Sequence, residues 1–170
     1  MDVIVKGLRI NAQNDRTKRL LDNVNVEFAA GQITLIVGKT GAGKSTLLEA
    51  ITGLVPIDAG TVRFAGRTLW EQGKWRAKRP ADAGIVFQRP EHYLFARTVE
   101  AEFRYTLRHL RLSREAAEQR IRESLAAVGL HDGIRSRNPL LLSGGQKRKV
   151  AIATAIAARP RWLVLDEPSA

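Results

Sequence analysis

Cysteine is missing altogether from these 170 residues, which excludes a disulfide framework and any thiolate metal site and fits a reducing compartment. Long apolar runs are missing too. The longest, residues 150–153 followed across Thr154 by residues 155–158, falls far below the ~20 residues that a membrane-spanning helix needs, so any crossing of a membrane is expected from other chains. The first residues, Met1-Asp2-Val3-Ile4-Val5-Lys6, lack the basic-then-apolar layout of a secretory signal, and export is not expected. No internal repeat or low-complexity tract is present. Acidic residues are scarce: 17 Asp and Glu stand against 28 Lys and Arg, for a net charge of +11. Such an excess favours nucleic acid or an anionic membrane surface. The bases are scattered, however, and the densest stretch, Lys74-Trp75-Arg76-Ala77-Lys78-Arg79, reads as a solvated loop. The length suits a single domain with a sizeable core, domains of about 100–150 residues being commonest.

What is present is an alternation of strand and helix signals. Residues 3–10 and 24–28 alternate apolar with polar side chains and predict two strands of a small antiparallel sheet, joined by the polar, basic residues 11–19. Residues 32–37 have the pattern of a short buried strand, and residues 44–51 follow as a helix stopped by Gly53 and Pro56. Further strands are predicted at 61–64, after the turn Asp58-Ala59-Gly60, and at 84–87, ending at Gln88. From Thr98 to Leu130 the signals turn helical. Ala117, Ile121, Leu125 and Val128 recur at three- and four-residue spacing, with Ser113 as an N-cap and Gly129 as a stop. A helix over 147–158, ended by Arg159-Pro160, and a buried strand over 162–165 complete the chain.

Three motifs carry chemistry. Gly38-Lys39-Thr40-Gly41-Ala42-Gly43-Lys44-Ser45 lies between a predicted strand and a predicted helix. Small residues there let backbone N–H groups approach phosphate oxygens while the helix presents its positive end. Lys44 is placed to reach β- and γ-phosphates, the Ser45 hydroxyl to meet Mg²⁺, and Thr46 to add a hydroxyl on the α-phosphate side; an accidental glycine turn is the plain alternative. Leu142-Ser143-Gly144-Gly145-Gln146 precedes a helix and offers a second set of backbone donors with a Ser hydroxyl, the plain alternative being an ordinary Ser-capped helix. Trp162-Leu163-Val164-Leu165-Asp166-Glu167 ends an apolar strand in two carboxylates. Asp166 suits Mg²⁺ held through a water and Glu167 a general base for an attacking water, although an acidic pair after a strand is also a common exit turn.

In this order the motifs resemble the ATP-binding subunit of an ABC transporter. The resemblance implies an α/β P-loop NTPase fold: a RecA-like core with a small antiparallel β subdomain and a helical subdomain over residues 90–141, within one domain spanning 1–170. It implies ATP and Mg²⁺ as cofactors and makes Gln88 the glutamine that touches Mg²⁺ and water. Catalytic work would fall to Glu167, Lys44 and Gln88, metal binding to Ser45, Gln88 and Asp166, and nucleotide contact to residues 38–46 and to Ser143, Gly144, Gly145 and Gln146. The signature of one subunit would close on the γ-phosphate held by another, with Lys44 of one chain facing Ser143 of its neighbour. Partners would be transmembrane transporter subunits and a second ATP-binding subunit, homo- or heterodimeric, at the cytoplasmic face of the membrane. Arg89-Pro90-Glu91-His92-Tyr93-Leu94-Phe95 and Thr98-Val99-Glu100 resemble the corresponding segment of energy-coupling-factor ATPases, which drive vitamin and cobalt or nickel uptake. That family usually has a glutamine where Tyr93 stands, and apolar packing of Tyr93, Leu94 and Phe95 is the alternative reading.

Two departures matter. ABC subunits usually stack adenine on an aromatic near the N-terminus, and none precedes Phe28 here; stacking is worth about 1–3 kcal/mol per base, so the phosphates are expected to dominate binding. The chain also matches only about two-thirds to three-quarters of a domain of this family. The expectation is a domain incomplete at its C-terminus, without the D-loop aspartate or the switch histidine, for which His92, His109 and His131 stand too early. Two other readings remain open: a DNA-associated ABC ATPase, against which stands the short stretch between Gln88 and Leu142 with no sustained heptads, and a nucleotide-binding fragment without turnover. Nucleic acid is not the expected partner.

Overall fold

The computed structural model describes residues 2–12, 14–77 and 83–167, with the side chain of Arg16 left aside. Lys78 and Arg79 of the basic stretch, and Pro168, Ser169 and Ala170 at the end, thus lie outside the described residues. The chain divides into two compact units, 1–81 and 82–170.

The first unit is built on an antiparallel sheet of order β2-β1-β3-β4-β5, formed by β1 (Val3–Ala12), β2 (Asp15–Phe28), β3 (Ala59–Phe64), β4 (Arg67–Glu71) and β5 (Lys74–Trp75). Val3, Val5, Leu8 and Ile10 of β1 are buried, so the inward set moves from odd to even positions partway along. The cause is a bulge: the register of β1 against β2 shifts between Val5 and Leu8, at Gly7 with φ +56, and one extra residue turns the following side chains over. The Asn25 Oδ1 accepts the displaced Gly7 N–H at 2.8 Å.

Four expectations are corrected here. β2 begins at Asp15, well before the expected residue 24, because β1 runs on to Ala12 and the two strands pair down to Ala12 and Asp15. This stretch lies at a sheet edge, where polar side chains are tolerated on both faces and apolar alternation gives no signal. β4 and β5 were not predicted. Their signals are the dipeptides Ala65-Gly66 and Gln72-Gly73, all four residues at positive φ, as two-residue hairpin turns matching strand twist require. Lys74 and Trp75, expected in a loop, form the exposed edge strand. Residues 32–37, expected as a buried strand, form none, and Ile33, Leu35 and Val37 are exposed. Their composition suits a strand buried on both faces, but such a strand needs a neighbour for its backbone groups, and the sheet of this unit, bounded by β2 and β5, gives them none.

Helix α1 (Lys44–Ile51) matches its expected bounds and buries Leu47, Ala50 and Ile51, the i, i+3, i+4 face, in contact with β2 and β3. Gly53, at φ +74, ends it.

In the second unit, β6 (Ala83–Val86) and β7 (Trp162–Leu165) pair in parallel, Ala83 with Trp162 through Val86 with Leu165. Between them run α2 (Val99–Leu107), α3 (Arg114–Ala127) and α4 (Gly144–Ala157). The helical signal over 98–130 resolves into two helices, because Arg111 takes φ +48 and the Ser113 hydroxyl, accepting from Ala116 N, starts α3 afresh. Ile121 and Leu125 are buried as their spacing predicts, with Ala117 and Val128 packed against the same cluster. α4 begins three residues before the expected 147. It presents Val150, Ala153 and Ala157 to the core that Phe103, Leu107, Ile121 and Leu125 supply, its small side chains letting α2 and α3 approach. Arg120 of α3 donates from Nη1 to the carbonyls of Ala157 and Ala158 at 3.4 and 3.2 Å, satisfying the C-terminal end of α4.

Candidate functional site

In the first unit, the glycine loop ends at Gly43, the N-cap residue of α1, with φ +84 and no side chain bonded to the helix end. Only glycine fits there. A Cβ would stand 2.7 Å from Leu21 Cδ2 and 3.0 Å from the Leu20 carbonyl oxygen, in addition to the backbone strain of a left-handed residue. The loop is tightened by the Ala42 N–H donating to the Lys39 carbonyl at 3.2 Å. Lys44 Nζ reaches back across it to the carbonyls of Gly38 at 2.9 Å and Lys39 at 3.0 Å. The first amides of a helix have no partner within it. α2, α3 and α4 have this need met by Thr98, Ser113 and Ser143; α1 has no such cap. Its head therefore combines open N–H groups, the positive end of the helix dipole and an ammonium group, an arrangement suited to a phosphate chain. Ser45 is exposed and Thr46 partly so. Beside Thr46 lies a cleft of about 360 Å³, lined among others by Ile10, Ala12, Leu20, Glu49 and Asp58, with no aromatic in its wall.

In the second unit, Leu142 is buried in the helical core and anchors the head of α4. The Ser143 hydroxyl accepts from Gln146 N at 3.3 Å, and Gln146 Oε1 accepts from Ser143 N at 3.2 Å. This reciprocal capping box uses the side chains of both residues to fix the turn. Gly144 and Gly145 are different: a Cβ on either would meet nothing within 4 Å, and neither has a positive φ. Glycine costs a helix about 0.8–1 kcal/mol relative to alanine, and nothing inside this unit requires it at these two positions.

The Asp166 N–H donates to the Val86 carbonyl at 2.9 Å, which extends the β6–β7 ladder by one bond and sets Asp166, partly buried, just past the strand end. Glu167 follows at φ +49, exposed. Gln88 leaves β6 on the neighbouring strand and donates from Nε2 to Glu167 Oε2 at 2.7 Å. Parallel pairing thus brings together two residues 79 positions apart, both singled out from the sequence. Lys44 and Ser45 belong to the first unit; Gln88, Ser143, Asp166 and Glu167 belong to the second. Among the described residues, no group of three or more His, Asp or Glu could hold a metal ion by itself, and no helix is long and apolar enough to cross a membrane.

Sequence reasoning missed two contributors. Leu21, which lies outside both predicted strands, is the side chain that excludes a Cβ at Gly43. Arg148, inside a basic run, donates from Nη2 to the Gln88 carbonyl at 3.1 Å. Of the apolar trio after Gln88, only Leu94 packs inside, 7% exposed; Tyr93 and Phe95 are 59% and 61% exposed. Phe95 meets Tyr105 edge to face at 4.8 Å, and the Arg108 guanidinium lies 3.9 Å over the Tyr105 ring.

A family profile described as ABC transporter matches residues 21–170. The energy-coupling factor transporter ATP-binding protein EcfA2 of Bacillus thuringiensis (strain Al Hakam) is 42% identical over 155 residues, covering 90% of this chain and 53% of that protein. Its namesake in Geobacillus kaustophilus (strain HTA426) is 37% identical over 174 residues, covering 100% of this chain and 60% of the relative. Among solved structures, cbiO1 from Clostridium perfringens, described as part of the ABC transporter complex cbiONQ, aligns with a TM-score of 0.82 and 28% identity over 99% of this chain and 66% of its own. The chain thus spans 53% and 60% of these two curated relatives.

Proposed function

The chain belongs to the ABC transporter family, with the P-loop ATPase fold of cbiO1, and from that premise we propose that it carries the Mg-ATP-binding and hydrolysing machinery of an energy-coupling-factor importer. The observation that carries this reading is the bare pair Gly144 and Gly145 behind a fully formed capping box. Two residues that weaken a helix, with no internal need for them, fit a surface that another molecule approaches closely: the γ-phosphate held by a second ATP-binding subunit.

In this reading the open amides at the head of α1 bind the β- and γ-phosphates, and Lys44 exchanges the Gly38 and Lys39 carbonyls for phosphate oxygens. Ser45 in the first unit, and Gln88 and Asp166 in the second, are the residues that would each offer oxygen ligands to magnesium. A small acid-poor ligand set suits magnesium, which keeps several waters and leans on phosphate. The ion supplies charge neutralisation to the phosphate chain. Gln88 releases Glu167, whose carboxylate then orients a water and accepts its proton. The base lies in the cleft beside Thr46, held by aliphatic walls rather than a stacked ring. Residues 90–141 form the helical subdomain, whose exposed Tyr93, Phe95 and Tyr105 provide an aromatic face for the transmembrane partner. The subunit works at the cytoplasmic face of the membrane, without entering it.

The test uses the full-length protein. Calorimetry should detect Mg-ATP binding, Lys44→Ala should weaken it, and Glu167→Gln should bind ATP yet release no phosphate. Normal phosphate release by Glu167→Gln would remove the assigned base.

A further inference from the structure

We infer that Arg148 is the positioning residue for the Gln88–Glu167 pair, an inference that rests on the ATPase reading above. Arg148 lies on α4, five positions after the Ser143 cap. Its Nη2 donates to the main-chain carbonyl of Gln88 at 3.1 Å, while the Gln88 side chain donates to Glu167 at 2.7 Å. One residue earlier, the Phe87 ring stacks on Tyr93 with centroids 4.7 Å apart. The segment leaving β6 is therefore fixed at three points: a ring stack, a guanidinium on its carbonyl and a carboxylate on its side chain.

These attachments differ in kind. A guanidinium stays ionised throughout the working pH range, and its bond to a carbonyl is charge-assisted. It grips the main chain, so it is indifferent to where the Gln88 side chain points. That separation is what the reaction requires: the Gln88 amide has to leave Glu167 before a water can take its place, while the Gln88 backbone has to remain where it is. Arg148 also places this grip on the helix whose head carries Ser143, Gly144 and Gly145. Any shift of that head reaches Gln88 through one contact and Glu167 through the next.

Two measurements on the full-length protein test this. In nucleotide-free protein, the Gln88 side-chain amide is identified in ¹⁵N spectra by its loss in Gln88→Ala. Arg148→Met should displace or broaden that signal, and Arg148→Lys, which keeps a cationic donor, should leave it near the wild-type position. An unmoved signal in Arg148→Met overturns the inference. In turnover, Arg148→Met should lower kcat about tenfold, misplacement of a reacting group being costly, with KM for ATP within about twofold of wild type. Arg148→Lys should recover most of the rate. In a Gln88→Ala background, Arg148→Met should change the rate by less than about twofold, since a residue acting through Gln88 has nothing left to act on. Full additivity, or a loss carried by KM, overturns the inference. If Arg148→Met folds poorly, Arg148→Gln, a neutral donor, has to fall between Lys and Gln88→Ala in rate or the inference fails. A wild-type protein that hydrolyses no ATP refutes the ATPase reading instead, and the spectra still decide the role of Arg148.

Discussion

Replacing Gly144 by alanine should make the protein more stable and less active, and Gly43→Ala should separate itself by losing both. At Gly144 a new Cβ meets open space and an ordinary backbone. The substitution then gains up to about 0.4–1 kcal/mol from helix propensity and a less flexible unfolded chain. For a chain of this size that corresponds to a rise in Tm of about 1–4 °C. At Gly43 the new methyl would sit 2.7 Å from Leu21 Cδ2 and 3.0 Å from the Leu20 carbonyl, at φ +84. Left-handed strain of about 1–2 kcal/mol adds to overpacking of about 1–3 kcal/mol, a large part of a total stability of about 5–15 kcal/mol. Thermal unfolding and Mg-ATPase rates of the full-length variants, measured side by side, give the answer. Gly144→Ala should lose at least about tenfold in rate, the methyl intruding where a charged ligand has to meet backbone amides. If Gly144→Ala lowers Tm, the glycine has an internal role that its surroundings do not reveal. If it leaves hydrolysis unchanged, no phosphate is read by that face, and the proposed pairing of subunits is wrong.

Other consequences are open to measurement. Phe103 is fully buried in the helical core, and Phe103→Ala should cost about 3–5 kcal/mol in urea unfolding; a loss under about 1 kcal/mol would mean that this cluster does not hold the second unit together. Glu100 has its pKa lowered by its hydrogen bond to Arg104, with further help from the charge of Arg135, against some opposition from burial. A carboxyl lowered on folding stabilises the protein above the usual glutamate pKa of about 4.3 and loses that contribution as pH falls through the folded value. Wild type should therefore weaken more than Glu100→Gln between pH 6 and pH 3, and equal slopes would assign the effect elsewhere. The cleft beside Thr46 has aliphatic and polar walls but no aromatic ring, so ATP should bind less than about tenfold more tightly than inorganic triphosphate, a stacked base being worth about 1–3 kcal/mol; a larger gap would call for a ring contact outside that cleft.

The sequence was most legible where a local rule fixes the outcome. The bounds of α1 follow from a glycine loop in front and Gly53 behind, and those of β7 from an apolar run between Pro160 and Asp166. Gln88 and Glu167 each carry a signal of their own, but their contact is visible only in the parallel pairing of β6 with β7. Where neighbours decide, the sequence was silent. Residues 32–37 have the composition of an inner strand, yet composition cannot supply the adjoining backbone that would make them one. The inner strand β4 and the edge strand β5 are too short to alternate visibly, and only their paired positive-φ turns mark them. Arg148 sits among Lys147 and Lys149, and no spacing rule tells a base gripping a carbonyl from bases facing water.

The missing cap on α1 has a consequence for how such a protein lives in a cell. Among the described residues the other three α-helices carry their own caps, whereas this one has none, and on the proposed function the task falls to a diffusible metabolite. A nucleotide present at a hundred times its dissociation constant contributes about 2.7 kcal/mol to the native state. On that proposed function, resistance to unfolding should then rise and fall with the supply of nucleotide, and a subunit deprived of it should open more readily to proteases.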